Sequence, residues 1–394
     1  MKLLEYKPSK MLSNTDVRLY FLQHFLQPVM IISTVFPAYL FLQTKNPLLV
    51  GVLLSISYVL GHLSSVAGFL TDYIVNTRRY DLILSLLSGT SFLLFYFLYR
   101  FEPGFIFLVY TVIITIHSFK GTNHVKVLRN LVNSASEYRV VWITVNIVRT
   151  ASAIVFLYLT LFVIGLRSLL LVLGLFMLLI HTPLIFKIKY PKGTGSAKLL
   201  FSLSISVFKK DRAVTFFFVD TLFANFIGGL LPVFLVFFAQ SYFFLNYMVY
   251  YSMTIAYSSI SLLIFTKINV EKYKNNLYYI FIFFRGLIPV ILLVSLAFVQ
   301  PQFSLILILF YWLFLTLYSS FISPIFQVKI PKEVIASYNG LLATLGSIFG
   351  ALGNILLSFL ELLVGQKDVV IVASFLLLGY IVLALLVFKN VLKQ

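Results

Sequence analysis

The chain has 394 residues, of which 61% are hydrophobic and only 11% charged, with 30 Lys/Arg against 12 Asp/Glu and a net charge of +18. Soluble domains carry about 25% charged residues, so this composition excludes a globule that faces water all round and leaves an integral membrane protein. It also removes nucleic acid as a partner, because the basic excess reads as Lys/Arg held on cytoplasmic loops and near anionic lipid. With no Cys there are no disulfides or thiolate metal sites.

Apolar runs broken by charge, Pro and Gly predict twelve membrane-spanning helices of about 20 residues or more. The first six fall at 18–42, 48–70, 81–99, 105–132, 139–164 and 168–187; the second six at 213–239, 247–266, 277–299, 303–326, 338–360 and 369–388. The first follows a basic segment (Lys2, Lys7, Lys10) and has no small-residue cleavage site, so it reads as a retained helix. Between the sixes, residues 187–212 hold seven Lys/Arg against one acid, Asp211. This gives an N-terminal half (1–186), a cytoplasmic linker (187–212) and a C-terminal half (213–394). Within the linker, Ser196 to Phe208 suits either a short helix on the membrane surface or a plain tether. With both termini inside, 20 Lys/Arg fall on the cytoplasmic side and four outside, which fixes the expected orientation.

The loop after the second span runs from Gly68, Leu70, Thr71 and Asp72 to Arg78 and Arg79. With six plus six helices about a basic linker, it resembles the major facilitator superfamily, whose loop motif is Gly-x-Leu-small-Asp-x-x-Gly-Arg-Arg/Lys. Val75 replaces the second Gly, and the basic pair comes two residues late. The resemblance implies an all-α fold of two six-helix halves, with this loop latching the halves in one gating state. Asp72, at a helix end, would act as a cap or face a neighbouring helix N-terminus, where the dipole favours negative charge. Arg78 and Arg79 would hold the loop at anionic headgroups; the alternative is a charged loop without a gating role. Val207 to Arg212 and Phe326 to Gly340 resemble, more narrowly, the macrolide-efflux-like and siderophore-exporter-like branch. The Gly-Pro-rich motif of helix five in proton-driven exporters is absent here, which weighs against proton antiport. Small residues on span two (Ser57, Gly61, Ser65; Ser64, Gly68) and span eleven (Gly346, Gly350, Gly353) suit close helix packing. The family pairs those two spans across the halves.

Ionisable groups at membrane depth usually face the bundle interior. Asp220, about 10 Å into span seven and followed by Asn225, is the only acid well within a predicted span. It suits a protonatable coupling site, or a structural ion pair with a cation on another helix. Arg149, about 15 Å into span five with Asn146 one turn earlier, suits an anionic substrate group or a pairing with Asp220. His117, Lys120 and His124 share one face of span four, and Tyr20, Gln23, Gln27 and Thr34 share a face of span one. Tyr311 and Tyr318 share a face of span ten. The resemblance puts spans one, four, seven and ten around a central cavity. Arg285 falls on span nine, which the family places at the periphery, and so ranks below Arg149. Pro28, Pro37, Pro232, Pro289 and Pro324 are candidate kinks.

No metal-ligand set, phosphate loop or cofactor motif is present, and no nucleophile or paired carboxylates converge as an enzyme requires. The expected function is a secondary transporter, moving a small amphipathic or hydrophobic molecule outward by alternating access, with protons as the candidate coupling ion. Transport of an anionic metabolite and a transport-inactive receptor-like or immunity protein are the alternatives. The expected setting is a bacterial cytoplasmic membrane, as a monomer with both termini inside.

Overall fold

The computed structural model describes residues 14–44, 49, 52–53, 56, 60, 63–100, 102–228, 270–299 and 301–392. All regular elements among them are helical. The first span is broken into α1 (Thr15–Phe25) and α2 (Pro28–Thr44). Pro28 has no N–H to donate to the His24 carbonyl and its ring crowds that group, so α1 stops and Pro28 starts a new helix. Next come α3 (Leu63–Tyr73), α4 (Thr77–Phe97), α5 (Pro103–Leu131) and α6 (Ala135–Leu159). Side chains close the open N-termini: Asn76 accepts from Arg79 N–H, and Ser134 accepts from Glu137 N–H.

From Ala135 to Lys187 the chain is helical for 53 residues, roughly 80 Å if straight and more than twice the hydrocarbon thickness. Gly165, at φ +73°, folds this run into two spans. A π-helical turn (Thr160–Ile164) precedes it; α7 (Gly165–Phe176), a second π turn (Met177–His181) and α8 (Thr182–Lys187) follow. The linker does form a helix, α9 (Ala197–Lys210), capped by Ser196. Then come α10 (Arg212–Gly228), α11 (Leu277–Ile280), a π turn (Phe281–Leu287), α12 (Ile288–Phe298), α13 (Pro301–Gln327), α14 (Ile335–Val364) and α15 (Gln366–Leu392). Eleven of the twelve expected spans therefore have described helix. The eighth lies outside the described residues, as do Pro232 of span seven and Ser57, Gly61 and His62 of span two.

Two of the π turns have a common cause. Pro183 and Pro289 each lack the N–H that would bond four residues back, to Leu179 and Arg285, so the preceding turn widens. Each widened turn carries a buried ionisable side chain, His181 in one and Arg285 in the other.

The two largest apolar cores lie mainly one in each half, while Ile143 and Leu317 pack together across the halves. One core contains Ile31, Phe36, Phe92, Tyr110, Leu157 and Leu173; the larger contains Phe216, Phe281, Ile308, Phe326 and Leu377. Outside, Phe97, Phe162, Val163, Phe298 and Leu386 are all more than two-thirds exposed, an apolar surface that belongs against lipid.

The two halves meet tightly where α3 crosses α14. A Cβ at Gly68 would overlap the Ala336 carbonyl, and one at Gly340 would overlap the Ser64 carbonyl. Ser65 N–H donates to Thr344 Oγ1 at 2.9 Å across the same seam. The expected pairing of spans two and eleven is thus present. Gly346 and Gly353 do not serve it: they face Asn225 and Phe226 of α10, because the opposite face of α14 packs within its own half.

Gly68→Val should force this seam apart. In the Cys-free chain, a single cysteine at the buried Ala336 position should then react with a water-soluble maleimide about tenfold faster than in the Gly68 background, which stopped-flow labelling would measure.

Candidate functional site

At the linker end of the molecule, Asp72 closes α3 onto α14. Its Oδ2 accepts the Ser337 N–H at 2.6 Å, within the first turn of α14, where amides lack helical partners. Its Oδ1 lies 3.0 Å from Lys126 Nζ of α5, and both side chains are buried. Arg129 makes a second tie between the halves, donating to Val328 O at 2.8 Å and to Val132 O at 3.3 Å. One cation thereby satisfies carbonyls just beyond the ends of α13 and α5. Arg78 donates to Ile188 O of the linker at 3.1 Å, and Thr77 Oγ1 donates to Pro191 O. The loop is therefore held by the linker as well as by any headgroup contact of the exposed Arg78 and Arg79.

A polar array fills the middle of the N-terminal half. Asp81 of α4 is fully buried; its Oδ2 accepts from Tyr190 OH and from Gln23 Nε2 at 3.4 Å. Gln23 Nε2 also reaches Tyr190 OH at 3.1 Å. Lys120 Nζ donates to Ser85 Oγ at 2.7 Å and lies 3.1 Å from His181 Nε2. His24 Nε2 and His124 Nδ1 are 2.9 Å apart, and His117 Nε2 is 3.4 Å from Ser88 Oγ. Four of the chain's five histidines thus gather around one carboxylate and one lysine. Among the described residues no group of three or more His, Asp or Glu is arranged to hold a metal ion.

The second array lies in the C-terminal half. Asp220 Oδ1 accepts from Arg285 Nε at 3.1 Å and Tyr380 OH at 2.7 Å, and Oδ2 accepts from Tyr318 OH at 2.8 Å. Three donors hold this buried carboxylate. Its cation is Arg285, not Arg149.

Between the arrays lies a cavity of about 640 Å³. Tyr20, Gln27, His124, Tyr138, Trp142 and Arg149 line it from the N-terminal half, and Asp220, Asn225, Arg285, Trp312, Tyr318 and Gln327 from the C-terminal half. Arg149 Nε makes no hydrogen bond, and among the described residues no carboxylate lies within ion-pair distance of its guanidinium. Both tryptophans of the chain are in the wall.

Of the residues expected at a cavity, Gln27, His124, Arg149, Asn225 and Tyr318 line it; Gln23, His117, Lys120, Asn146 and Tyr311 do not. Gln23, His117 and Lys120 turn instead into the polar array, where a buried amide, imidazole or ammonium finds partners. Tyr311 is enclosed in the C-terminal core. Sequence reasoning missed Asp81, His24, His181, Tyr190 and both tryptophans, and ranked Arg285 too low. Tyr20, His24 and Gln27 at four- and three-residue spacing were the available signal for His24.

No protein-family profile matches the chain, and no curated protein matches it in sequence. By structure it is similar to the human organic anion transporter MFSD10 (TETRAN), with a TM-score of 0.72 and 13% identity over 96% of this chain and 100% of that one. It is also similar to the E. coli fucose:proton symporter FucP (TM-score 0.66, 13% identity, 93% and 97% covered). A bacterial homologue of the iron transporter ferroportin gives a TM-score of 0.65 at 13% identity, with 96% and 99% covered. The chain has the major facilitator fold.

Arg285→Gln would leave Asp220 buried without its cation and should cost about 3–5 kcal/mol. Adding Asp220→Asn should recover most of that loss, as read from thermal unfolding in detergent.

Proposed function

We propose that the chain is a secondary active transporter that moves a small amphipathic molecule by alternating access. The observation that carries this reading is the cavity between the halves, walled by aromatic rings and a few polar groups, with the halves sealed together at the linker end. In this arrangement residues 1–186 and 213–394 are the two rocking bundles and 187–212 joins them on the cytoplasmic side. Asp72, Gly68, Lys126 and Ser337 form the latch that opens when the cavity turns inward. Outward movement of substrate, a bacterial plasma-membrane setting and kinship with the macrolide-efflux-like branch rest on the sequence resemblance. The similarity to transporters in fold supports the reading without naming a substrate.

A specific observation favours an anionic group on that substrate. Arg149 presents a guanidinium to the cavity with no acidic partner among the described residues. A carboxylate, sulfonate or phosphate would supply the charge-assisted hydrogen bonds that such a group takes. Trp142 and Trp312 would cover the apolar part.

Purified protein in lipid vesicles, tested with fluorescent amphipathic dyes of either charge under an imposed pH gradient, should move anionic dyes. No flux of any dye would sink the transport reading. Arg149→Gln should weaken anionic-dye affinity by about tenfold or more; unchanged affinity would remove the anion assignment. Asp72→Asn should shift a gate-reporting cysteine at Ala336 toward the labelled state, and with it slow net flux.

A further inference from the structure

The hydrogen bonds of the N-terminal array determine where its protons sit. His24 Nδ1 lies 2.8 Å from the Tyr20 carbonyl, which only accepts, so that nitrogen carries hydrogen. In a neutral His24 the other nitrogen, Nε2, is then an acceptor, and its partner 2.9 Å away is His124 Nδ1. His124 must therefore donate from Nδ1. A neutral His124 is left with a bare Nε2, and that atom faces Asp81 Oδ1 at 3.8 Å. Both atoms are buried and neither has a hydrogen-bond partner. The other Asp81 oxygen is already engaged by Tyr190 and Gln23. In the neutral state, two lone pairs oppose each other away from water.

We propose that this gap between His124 Nε2 and Asp81 Oδ1 is the proton-binding site of the transporter, and that Asp220 is a structural anion. One proton added to His124 Nε2 makes an imidazolium that donates to Asp81 on one side and to His24 on the other. It makes the 3.8 Å approach an ion pair, and a closure of roughly 0.5–1 Å would turn that into a hydrogen bond satisfying both unpartnered atoms. The site reaches the cavity directly, because His124 is part of its wall. Asp220, by contrast, already holds three donors and an adjacent guanidinium.

The groups around the site oppose each other in charge. Asp81 from α4 favours the added proton. Lys120 and Arg149, from α5 and α6, disfavour it, as would any charge on His24, His117 or His181. Tyr20 and Gln23 of α1, Asn123 of α5, Tyr138 of α6 and Tyr190 are the neutral neighbours. An anion at Arg149 would cancel one of the two opposing cations. Anion and proton then favour each other's binding by equal amounts, as linkage requires. The doubly loaded protein carries both in one direction, which under an inward proton gradient is uptake in place of the outward movement the sequence resemblance implies. This consequence rests on the transport reading above; the proton site does not.

The test separates them. Full-length protein with 15N-labelled histidine in lipid nanodiscs, without any substrate, is titrated by NMR. His124 should pass from neutral to charged between about pH 5 and 8, while His24, which accepts the His124 Nδ1 hydrogen, stays neutral. Asp81→Asn should remove that transition from the window, and Asp220→Asn should leave it in place. A His124 ring that stays neutral throughout the window would overturn the proposal, as would charging of His24 in its place or loss of the transition in Asp220→Asn. In vesicles, a carboxylated fluorescent dye should accumulate under a pH gradient with the natural protein. His124→Gln should bring accumulation down to the equilibrium ratio; gradient-driven accumulation that survives it would overturn the coupling role. If the natural protein moves no dye, the transport reading fails while the NMR titration still decides the proton site.

Discussion

A charged side chain surrounded by lipid and protein has no water to turn to, so its partners must be supplied by the fold. That constraint arranges the interior of this molecule. Asp72, Asp81 and Asp220 are each buried, and each draws donors from helices far apart in sequence. Asp72 takes a helix-terminal amide and a lysine, Asp220 takes an arginine and two tyrosine hydroxyls, and Asp81 takes a tyrosine and a glutamine. The helices cross where these carboxylates demand it. Arg149 borders the cavity with no carboxylate in ion-pair distance among the described residues.

The three carboxylates also differ in how completely they are served. Asp220 is saturated and so resists change. Asp72 is served from across the seam between the halves, so its satisfaction lasts only while that seam is closed. Asp81 has one oxygen served and one facing an imidazole nitrogen. A rigid anchor, a state-dependent clasp and an unfinished contact thus come from one residue type, separated by how many donors each has and from where they come.

Much of this was legible in the sequence, within limits set by physics. Composition and apolar runs gave the helices, because a span must bury about 20 residues of backbone. The motif around Gly68 and Asp72 gave the clasp to a helix N-terminus. The stripe of His117, Lys120 and His124 was visible, but its partners were not. Asp81 stood at the first position of a predicted span, where boundaries are least certain, and α4 begins one turn earlier. His181 and Arg285 were hidden by their π turns. An extra residue in a turn rotates every later side chain by about 100°, so a regular helical wheel assigns the wrong face. Arg285 ranks low by sequence because the resemblance places span nine at the periphery, yet it lies in the π turn and pairs with Asp220. Gly346 and Gly353 were assigned to the wrong neighbour because small residues mark close packing without naming the partner.

The linker's contacts with the latch loop set a mechanical limit. Thr194 N–H donates to the Asp72 carbonyl at 2.8 Å and Gly195 N–H to the Tyr73 carbonyl at 3.0 Å, while Gly193 sits too close to the Ile74 carbonyl to bear a side chain. Only Ser196 separates this pinned strand from α9, which packs on α10. A single residue spans roughly 3.5 Å. The tether between the halves is therefore a taut leash rather than a slack string. Parting at that end beyond a few ångströms requires the strand to peel from the loop or α9 to slide off α10.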